Sequence, residues 1–313
     1  MAASSAILRR SLLYVPASSQ KMLTKSLGLV SDNITYDLED SVTPAAKASA
    51  RALLQSHLAA LPARPSTVAE LAVRVNAVST PFCLDDLRAL AGQPRVDAVV
   101  VPKVESAADL FFVTDVLRHV VAPSSPVKII ALIESARAVV DLPSICRASP
   151  LLDGLVFAAE DFALDLSITR TPSLSEFLYA RSAIVTAARA FGLPSAIDLV
   201  CTSFRGEQGM RTLQDECAGG KAMGFNGKQC IHPSQVETVQ RLFAPTPDEV
   251  EWAVRIVIAD DKAAAAGRGA WTMDGKMIDA PVSGKARSIV SKAEQCGMDV
   301  DSLRTKWKDQ EPE

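Results

Sequence analysis

At 313 residues, 48% apolar and 22% charged, the chain has the profile of a globular protein, long enough for one large α/β barrel or two average domains. A net charge of -3 with no run of Lys or Arg argues against a nucleic-acid partner, and no stretch reaches the roughly 18 uninterrupted apolar residues that a membrane helix needs. The six cysteines lie far apart with no CxxC pair, which points to reduced thiols in a reducing compartment and away from a disulfide framework or a zinc site.

The first ten residues, MAASSAILRR, are rich in Ser, Ala and Arg, and no acidic residue precedes Asp32, the flavour of a mitochondrial leader. The expected location is therefore the mitochondrial matrix or the cytoplasm. From Ser11 onward, short apolar runs recur with amphipathic segments between them. The candidate strands are 11–16, 33–40, 70–77, 97–104, 128–135, 153–161, 195–200 and 222–231. Helical stretches separate them, for example 44–61, 106–120 and 173–192. Thr43 before Pro44, Ser79-Thr80 before Pro81, and Ser173 with Glu176 as a capping box supply start signals.

Eight nearly continuous apolar strands, each followed by a helix, are the pattern of a (β/α)8 TIM barrel. A doubly wound open sheet is disfavoured because no Gly-rich dinucleotide turn follows the first strand. The barrel is expected to fill residues 1–243, as a catalytic domain, and a helical extension residues 244–313. Within that extension, 267–281 (GRGAWTMDGKMIDAP) is a glycine-flanked lid candidate with exposed-looking Trp271, Met273 and Met277. A last helix over about 283–296 should lead into a frayed, charged tail.

Barrel active sites lie at the C-terminal ends of strands. On this chain those ends carry Glu39-Asp40, Arg74, Lys103, Glu134 and Asp161, although the strand interiors are apolar. Glu134 and Asp161 close consecutive strands and are candidate ligands for Mg²⁺, or Mn²⁺, which take oxygen donors and often only one or two protein carboxylates. His57, His119 and His232 are scattered and read as structural hydrogen-bonders. Arg74, among apolar neighbours, needs an anion, which could be a barrel carboxylate such as Asp40 or a substrate oxygen. Lys21 and Lys25 sit one helical turn apart and could form a wet helix face or a phosphate clamp. Asp279, in GKMIDAP, is a loop carboxylate.

The segments RRSLLYVPASSQKMLTK, DLEDSVTPAAKASAR, VRVN, VPKVES, LIES, VFAAEDFALDL, GFNGKQCIHPSQV and GKMID, from Arg9 to about Pro281, resemble the citrate lyase β-subunit-like and citramalyl-CoA lyase proteins of the HpcH/HpaI aldolase superfamily. The resemblance implies a TIM barrel that assembles as a homo-oligomer, a trimer or a multiple of three. It implies a magnesium-dependent carbon–carbon lyase, cleaving a citramalyl-CoA- or malyl-CoA-type thioester to acetyl-CoA and a 2-oxo acid, or running the reverse condensation. Carried over by position, Glu134 and Asp161 match the metal ligands, and Arg74 matches the arginine near the reacting carbon. Tyr14, Lys21 and Lys25 match residues that bind the acyl-CoA, and Gln229 and Cys230 match a backbone stretch that also contacts it. Asp279 matches the lid aspartate that transfers a proton, at the site of a neighbouring subunit in related oligomers. Ala17, Ala158 and Ser167 stand where relatives often have Gly. A metal aldolase acting on free 2-oxo acids, or a subunit acting on a carrier-protein thioester, stays open as an alternative.

Overall fold

The computed structural model describes residues 7–93, 95–122 and 127–313. The chain divides into two compact units, one running to Phe243 and the other from Ala244 to Glu313.

In the first unit, β1 (Ser11–Pro16), α1 (Gln20–Ser26), β2 (Ser31–Asp37), α2 (Lys47–Ala60), β3 (Val68–Arg74), α3 (Cys83–Asp86), β4 (Ala98–Val101) and α4 (Ala107–Val120) follow in turn. They continue through β5 (Lys128–Ile133), α5 (Ala136–Val140), α6 (Leu142–Arg147), β6 (Leu152–Phe157), α7 (Ala159–Leu166), α8 (Leu178–Ala190), β7 (Ser195–Asp198), α9 (Gly206–Met223), β8 (Gly227–Cys230) and α10 (Val236–Phe243). The eight strands pair in parallel in sequence order, and β8 closes on β1, so the sheet is a closed barrel as the strand count predicts.

The strands end earlier than the apolar runs suggest. β2 stops at Asp37 rather than residue 40, and β6 stops at Phe157 rather than 161. Leu38 and Ala158 still donate across to the Arg74 and Ile133 carbonyls, but beyond them the chain leaves the ladder: Asp40 is exposed, and Ala159 already opens α7. Thr171, not Ser173, closes on Glu176: its backbone N–H and hydroxyl both donate to that carboxylate, so α8 begins only at Leu178.

Strand alternation sorts side chains between the two layers. Outward positions, such as Leu13, Val73, Val99 and Ile129, join the helices in the main core. Inward positions form a separate apolar layer of Leu12, Ala72, Ala98, Val100, Ile130, Leu132, Val156 and Ile197. Below this layer lies a polar floor. Arg9, 2% exposed, donates to both oxygens of Glu70 (2.8 and 2.6 Å) and to Ser195 Oγ (2.9 Å), and lies 2.7 Å from an Asp153 oxygen. Asn33 donates to the same Glu70 at 2.6 Å. A Cβ at Gly227 would run into the Arg9 and Arg10 carbonyls, so glycine is what lets β8 start this close to them. Arg9 and Arg10, read as part of a leader, are thus structural; Arg10 is paired with Asp32. The first six residues of that stretch lie outside the described residues.

The second unit has its own core of Val250, Ala253, Ile256, Trp271, Ile278, Val290 and neighbours. It comprises α11 (Pro247–Ala265), a hairpin of β9 (Trp271–Met273) and β10 (Lys276–Ile278), α12 (Ala280–Gln295) and α13 (Val300–Lys306). The glycine-flanked segment is therefore a hairpin, turned at Asp274-Gly275 with φ +50 and +72, the positive values that a tight two-residue turn demands. Trp271 and Met273, expected to be exposed, alternate inward and are 4% and 2% exposed, while Met277 is open. The tail is not frayed: it forms α13, and Glu313 exchanges backbone hydrogen bonds with Thr272.

Candidate active site

Period-two alternation above the apolar layer brings one set of polar side chains inward. Leu12 leads to Tyr14, Thr35 to Asp37, Ala72 to Arg74, and Leu132 to Glu134. Asp37, Arg74 and Glu134 lie at or just past the C-terminal ends of their strands, and Tyr14 two residues before the end of β1, the end where barrel enzymes keep their chemistry.

Arg74 is the most heavily paired of them. Its guanidinium clasps Asp37 through Nε (2.7 Å) and Nη2 (2.8 Å). Its Nη1 lies 3.0 Å from Glu39 and 3.4 Å from Asp40. It also stacks over the Tyr14 ring, 4.6 Å from the centroid. Burial alone would lower its pKa, but Asp37 holds it above the usual arginine range, and the same clasp keeps Asp37 below the usual carboxylate range against its own burial. The anion for Arg74 is thus chiefly Asp37, which the sequence reading passed over because the apolar run carried on to Asp40. Inward alternation from Asn33 and Thr35 was the signal that could have found it. Tyr14 donates to Gln229 Oε1 at 2.9 Å, and Gln229 in turn donates to the Phe157 carbonyl at 2.9 Å. Burial raises the Tyr14 phenol, partly offset by Arg74, so it remains a proton donor.

Glu134 follows β5 and is 4% exposed. One of its oxygens takes a hydrogen bond from the Lys103 backbone, whereas Oε2 is buried with no hydrogen-bond partner. Among the described residues, its neighbouring cation is Lys103 Nζ, 3.7 Å away. Burial, with Asp161 and Glu39 adding repulsion against the help of Lys103, pushes its carboxyl up to about 7. Asp161 does not close a strand: it stands in the first turn of α7, and that turn sets its carboxylate 3.6 Å from the same ammonium. Lys103 completes the cluster. It donates to Glu39 at 2.5 Å and lies 3.8 Å from Asp40, so four carboxylates surround one ammonium. The loop bearing Glu39 is held by buried Lys47, which donates to the Leu38 and Glu39 carbonyls.

No group of three or more His, Cys, Asp or Glu side chains suited to a metal occurs among the described residues. A two-carboxylate set is still what a hard, water-retaining dication uses. The orphaned Glu134 oxygen, buried beside a second carboxylate, fits such an ion, since a buried anion without a donor is costly.

These residues border a cavity of about 420 Å³ whose walls include Tyr14, Asp37, Arg74, Asp161 and Gln229. Glu134 and Lys103 are not wall residues; they reach it through the Lys103–Asp161 contact. A second cavity of about 480 Å³ shares Tyr14, Pro16 and Ile231 with the first and carries Lys21, Met22 and Lys25 along α1. Both lysines therefore face a groove that leads to the mouth. Cys230 is fully buried on the outward face of β8, where burial raises its thiol well above the usual range, and only the strand backbone there is near the site. His232 caps the turn after β8, accepting from the Ser234 N–H, and stacks on Phe204. Asp279 belongs to the second unit and caps α12, accepting from the Val282 N–H at 3.3 Å. Of Ala17, Ala158 and Ser167, only Ser167 has positive φ (+55).

The family model described as HpcH/HpaI aldolase/citrate lyase matches residues 10–233. The chain is similar to the citrate lyase subunit beta of Haemophilus influenzae, 38% identical over 91% of this chain and 97% of that one. It is similar to the mitochondrial citramalyl-CoA lyase of Homo sapiens, 35% identical over 91% of this chain and 85% of the other. Among solved structures it is similar to the CitE protein of Mycobacterium tuberculosis in complex with magnesium, acetoacetate and coenzyme A. That likeness has a TM-score of 0.73 and 31% identity, covering 92% of this chain and 98% of the other.

Proposed function

Because the chain belongs to the HpcH/HpaI aldolase/citrate lyase family, we propose that this lyase is magnesium-dependent and cleaves a citramalyl-CoA- or malyl-CoA-type thioester into acetyl-CoA and a 2-oxo acid. The observation that carries the reading is the buried Glu134 oxygen without a hydrogen bond, near Asp161, whose cavity adjoins a groove lined by Lys21 and Lys25.

The chemistry asks the chain for three things. A magnesium ion held by Glu134 and Asp161 would supply a Lewis acid for the oxygen atoms of the 2-oxo acid portion. Arg74, fixed by Asp37 and facing the cavity, offers positive charge where the acetyl-CoA enolate develops as the carbon–carbon bond breaks. Tyr14, held in its donor state by burial and oriented by Gln229, lines both cavities and orients the thioester between them. Lys21 and Lys25 offer two ammonium groups to phosphates of the CoA. The proton transfer at carbon falls to Asp279 on the family resemblance, and we include in the reading a homo-oligomer of three subunits or a multiple of three.

The test is purified protein with Mg²⁺ against a panel of hydroxyacyl-CoAs, following release of free 2-oxo acid. Turnover of citramalyl- or malyl-CoA that disappears with EDTA supports the reading. Equal turnover of the corresponding free acids would replace it with an aldolase that ignores CoA. Turnover confined to a carrier-protein thioester would replace it with a citrate lyase subunit.

A further inference from the structure

Of the two cations in the charged cluster at the mouth, Arg74 and Lys103, the proposed reaction leaves Lys103 without a task. Its backbone lies in the left-handed region (φ +51), a conformation that a side-chain-bearing residue adopts only when its surroundings impose it. That turn aims the side chain at both proposed metal ligands at once.

The contacts it makes are unequal. The ammonium has one short bond, to Glu39 Oε1 at 2.5 Å. Its distances to Glu134 (3.7 Å), Asp161 (3.6 Å) and Asp40 (3.8 Å) are too long for hydrogen bonds and are Coulombic only. The ammonium therefore neutralises Glu134 and Asp161 without taking up their lone pairs. A dication bonded to those two oxygens would face a positive charge a few ångströms away, which repels it strongly in a half-buried site. Lys103 has somewhere to go: its side chain is 39% exposed, and that of Asp40, on its far side, is 60% exposed.

We propose that the Lys103 ammonium is a built-in placeholder for the divalent cation, neutralising Glu134 and Asp161 while the ion is away and withdrawing onto Glu39 and Asp40 when it arrives. The placeholder keeps the acidic mouth from repelling itself apart, because Arg74 pairs with Asp37, Glu39 and Asp40, whereas Glu134 and Asp161 are neutralised by Lys103. It also sets the affinity for the ion lower than two carboxylates would otherwise give. The inference rests on the metal reading of Glu134 and Asp161.

The experiment is Mn²⁺ binding, read from loss of the free-ion paramagnetic resonance signal, to wild type, Lys103→Met, Lys103→Gln and Glu39→Gln. Both Lys103 variants should bind on the order of tenfold tighter or more, since they remove a nearby like charge. Glu39→Gln, which removes the retreat, should bind several-fold weaker, and much less so in the Lys103→Met background. Urea unfolding in EDTA should show the Lys103 variants less stable than wild type and more strongly restabilised by Mn²⁺, which separates a folded but repulsive mouth from a misfolded one. Binding in the Lys103 variants that is equal to wild type or weaker, with wild-type binding intact, overturns the placeholder and makes Lys103 a structural organiser. No Mn²⁺ binding to wild type overturns the metal reading and the placeholder with it.

Discussion

The two ends of the barrel both gather charge, and they do it in opposite ways. At the floor, Arg9 engages Glu70, Asp153 and Ser195, and Asn33 completes Glu70, so no polar atom of that set is left unpartnered. At the mouth, Glu134 Oε2 has no hydrogen bond and no cation nearer than 3.7 Å. The other buried atoms without a hydrogen bond each face an opposite charge closely: Glu39 Oε2 lies 3.0 Å from Arg74, and Glu216 Oε2 lies 2.9 Å from Lys228. A closed network is what stability selects, and an open one marks where a ligand belongs. The comparison is useful because the same kinds of residue, a carboxylate and a cation, appear at both ends.

The strongest contrast comes from removing one charge at each end, the Glu134 carboxylate at the mouth and the Arg9 guanidinium at the floor. Glu134→Gln should lower turnover by about three orders of magnitude or more, on the scale of losing a Lewis acid. It should leave the metal-free protein at least as stable as wild type, because it removes a buried carboxylate whose Oε2 has no hydrogen bond and whose nearest ammonium is 3.7 Å away. Arg9→Met should do the reverse, costing about 3–5 kcal/mol of unfolding free energy by stranding Glu70, with kcat unchanged where the protein is folded. Urea denaturation and a turnover assay on both proteins decide it. If Glu134→Gln is destabilised as much as Arg9→Met, the two ends are alike and the mouth is merely structural.

A pH titration sharpens the same contrast. The Glu134 carboxyl is raised from 4.5 to about 7 in the folded, metal-free chain, so the folded state binds the proton more tightly than the unfolded one. The stability contributed by this group is therefore fully present below about pH 4.5 and is lost as pH rises through 7. A shift of that size corresponds to about 3 kcal/mol. Wild type in EDTA should lose that much relative to Glu134→Gln between pH 5 and pH 8, by urea unfolding. Parallel curves for the two proteins would mean the carboxylate is solvated after all.

Arg74 is the residue that the comparison does not place, since it sits at the mouth but is paired as thoroughly as Arg9. If its charge faces the developing enolate, Arg74→Lys should slow turnover about a hundredfold, the scale of one displaced oxyanion donor. Near-wild-type turnover with a lowered unfolding midpoint would class it with the floor, as the partner of Asp37.

How much of this was legible before the structure follows from which physical rule governed each residue. The eight strands and the inward direction of Arg74 and Glu134 follow from apolar runs and period-two alternation, both local properties. The placing of Asp161 on a helix was hidden, because an apolar run such as LVFAA does not say where ladder hydrogen bonds stop. Asp37 was missed for the same reason, and the role of Arg9 because an arginine pair ending a Ser- and Ala-rich N-terminal stretch looks like a leader until Glu70 and Asp153, from distant strands, converge on it. In the second unit, Trp271 and Met273 were misjudged because glycines flanking a segment suggest a loose loop, whereas Asp274-Gly275 makes a tight turn that orders it. Pairings between distant residues are tertiary facts, and composition does not carry them.

The smallest effect tests whether strain at the far end of α7 has a purpose at the mouth. Ser167 ends α7 in the left-handed conformation (φ 55, ψ 39), where glycine fits without a Cβ clash, and α7 carries Asp161 in its first turn. Ser167→Gly should therefore raise the unfolding free energy by about 1 kcal/mol, the usual cost of a side chain in that region. If the strained cap merely ends the helix, turnover should not change, and the cap belongs with the stabilising features despite its position. If the stabilised variant instead turns over more slowly or binds Mn²⁺ differently, the strain helps to set Asp161 against Glu134. The open network at the mouth would then extend through the length of α7, not just across the tips of the strands.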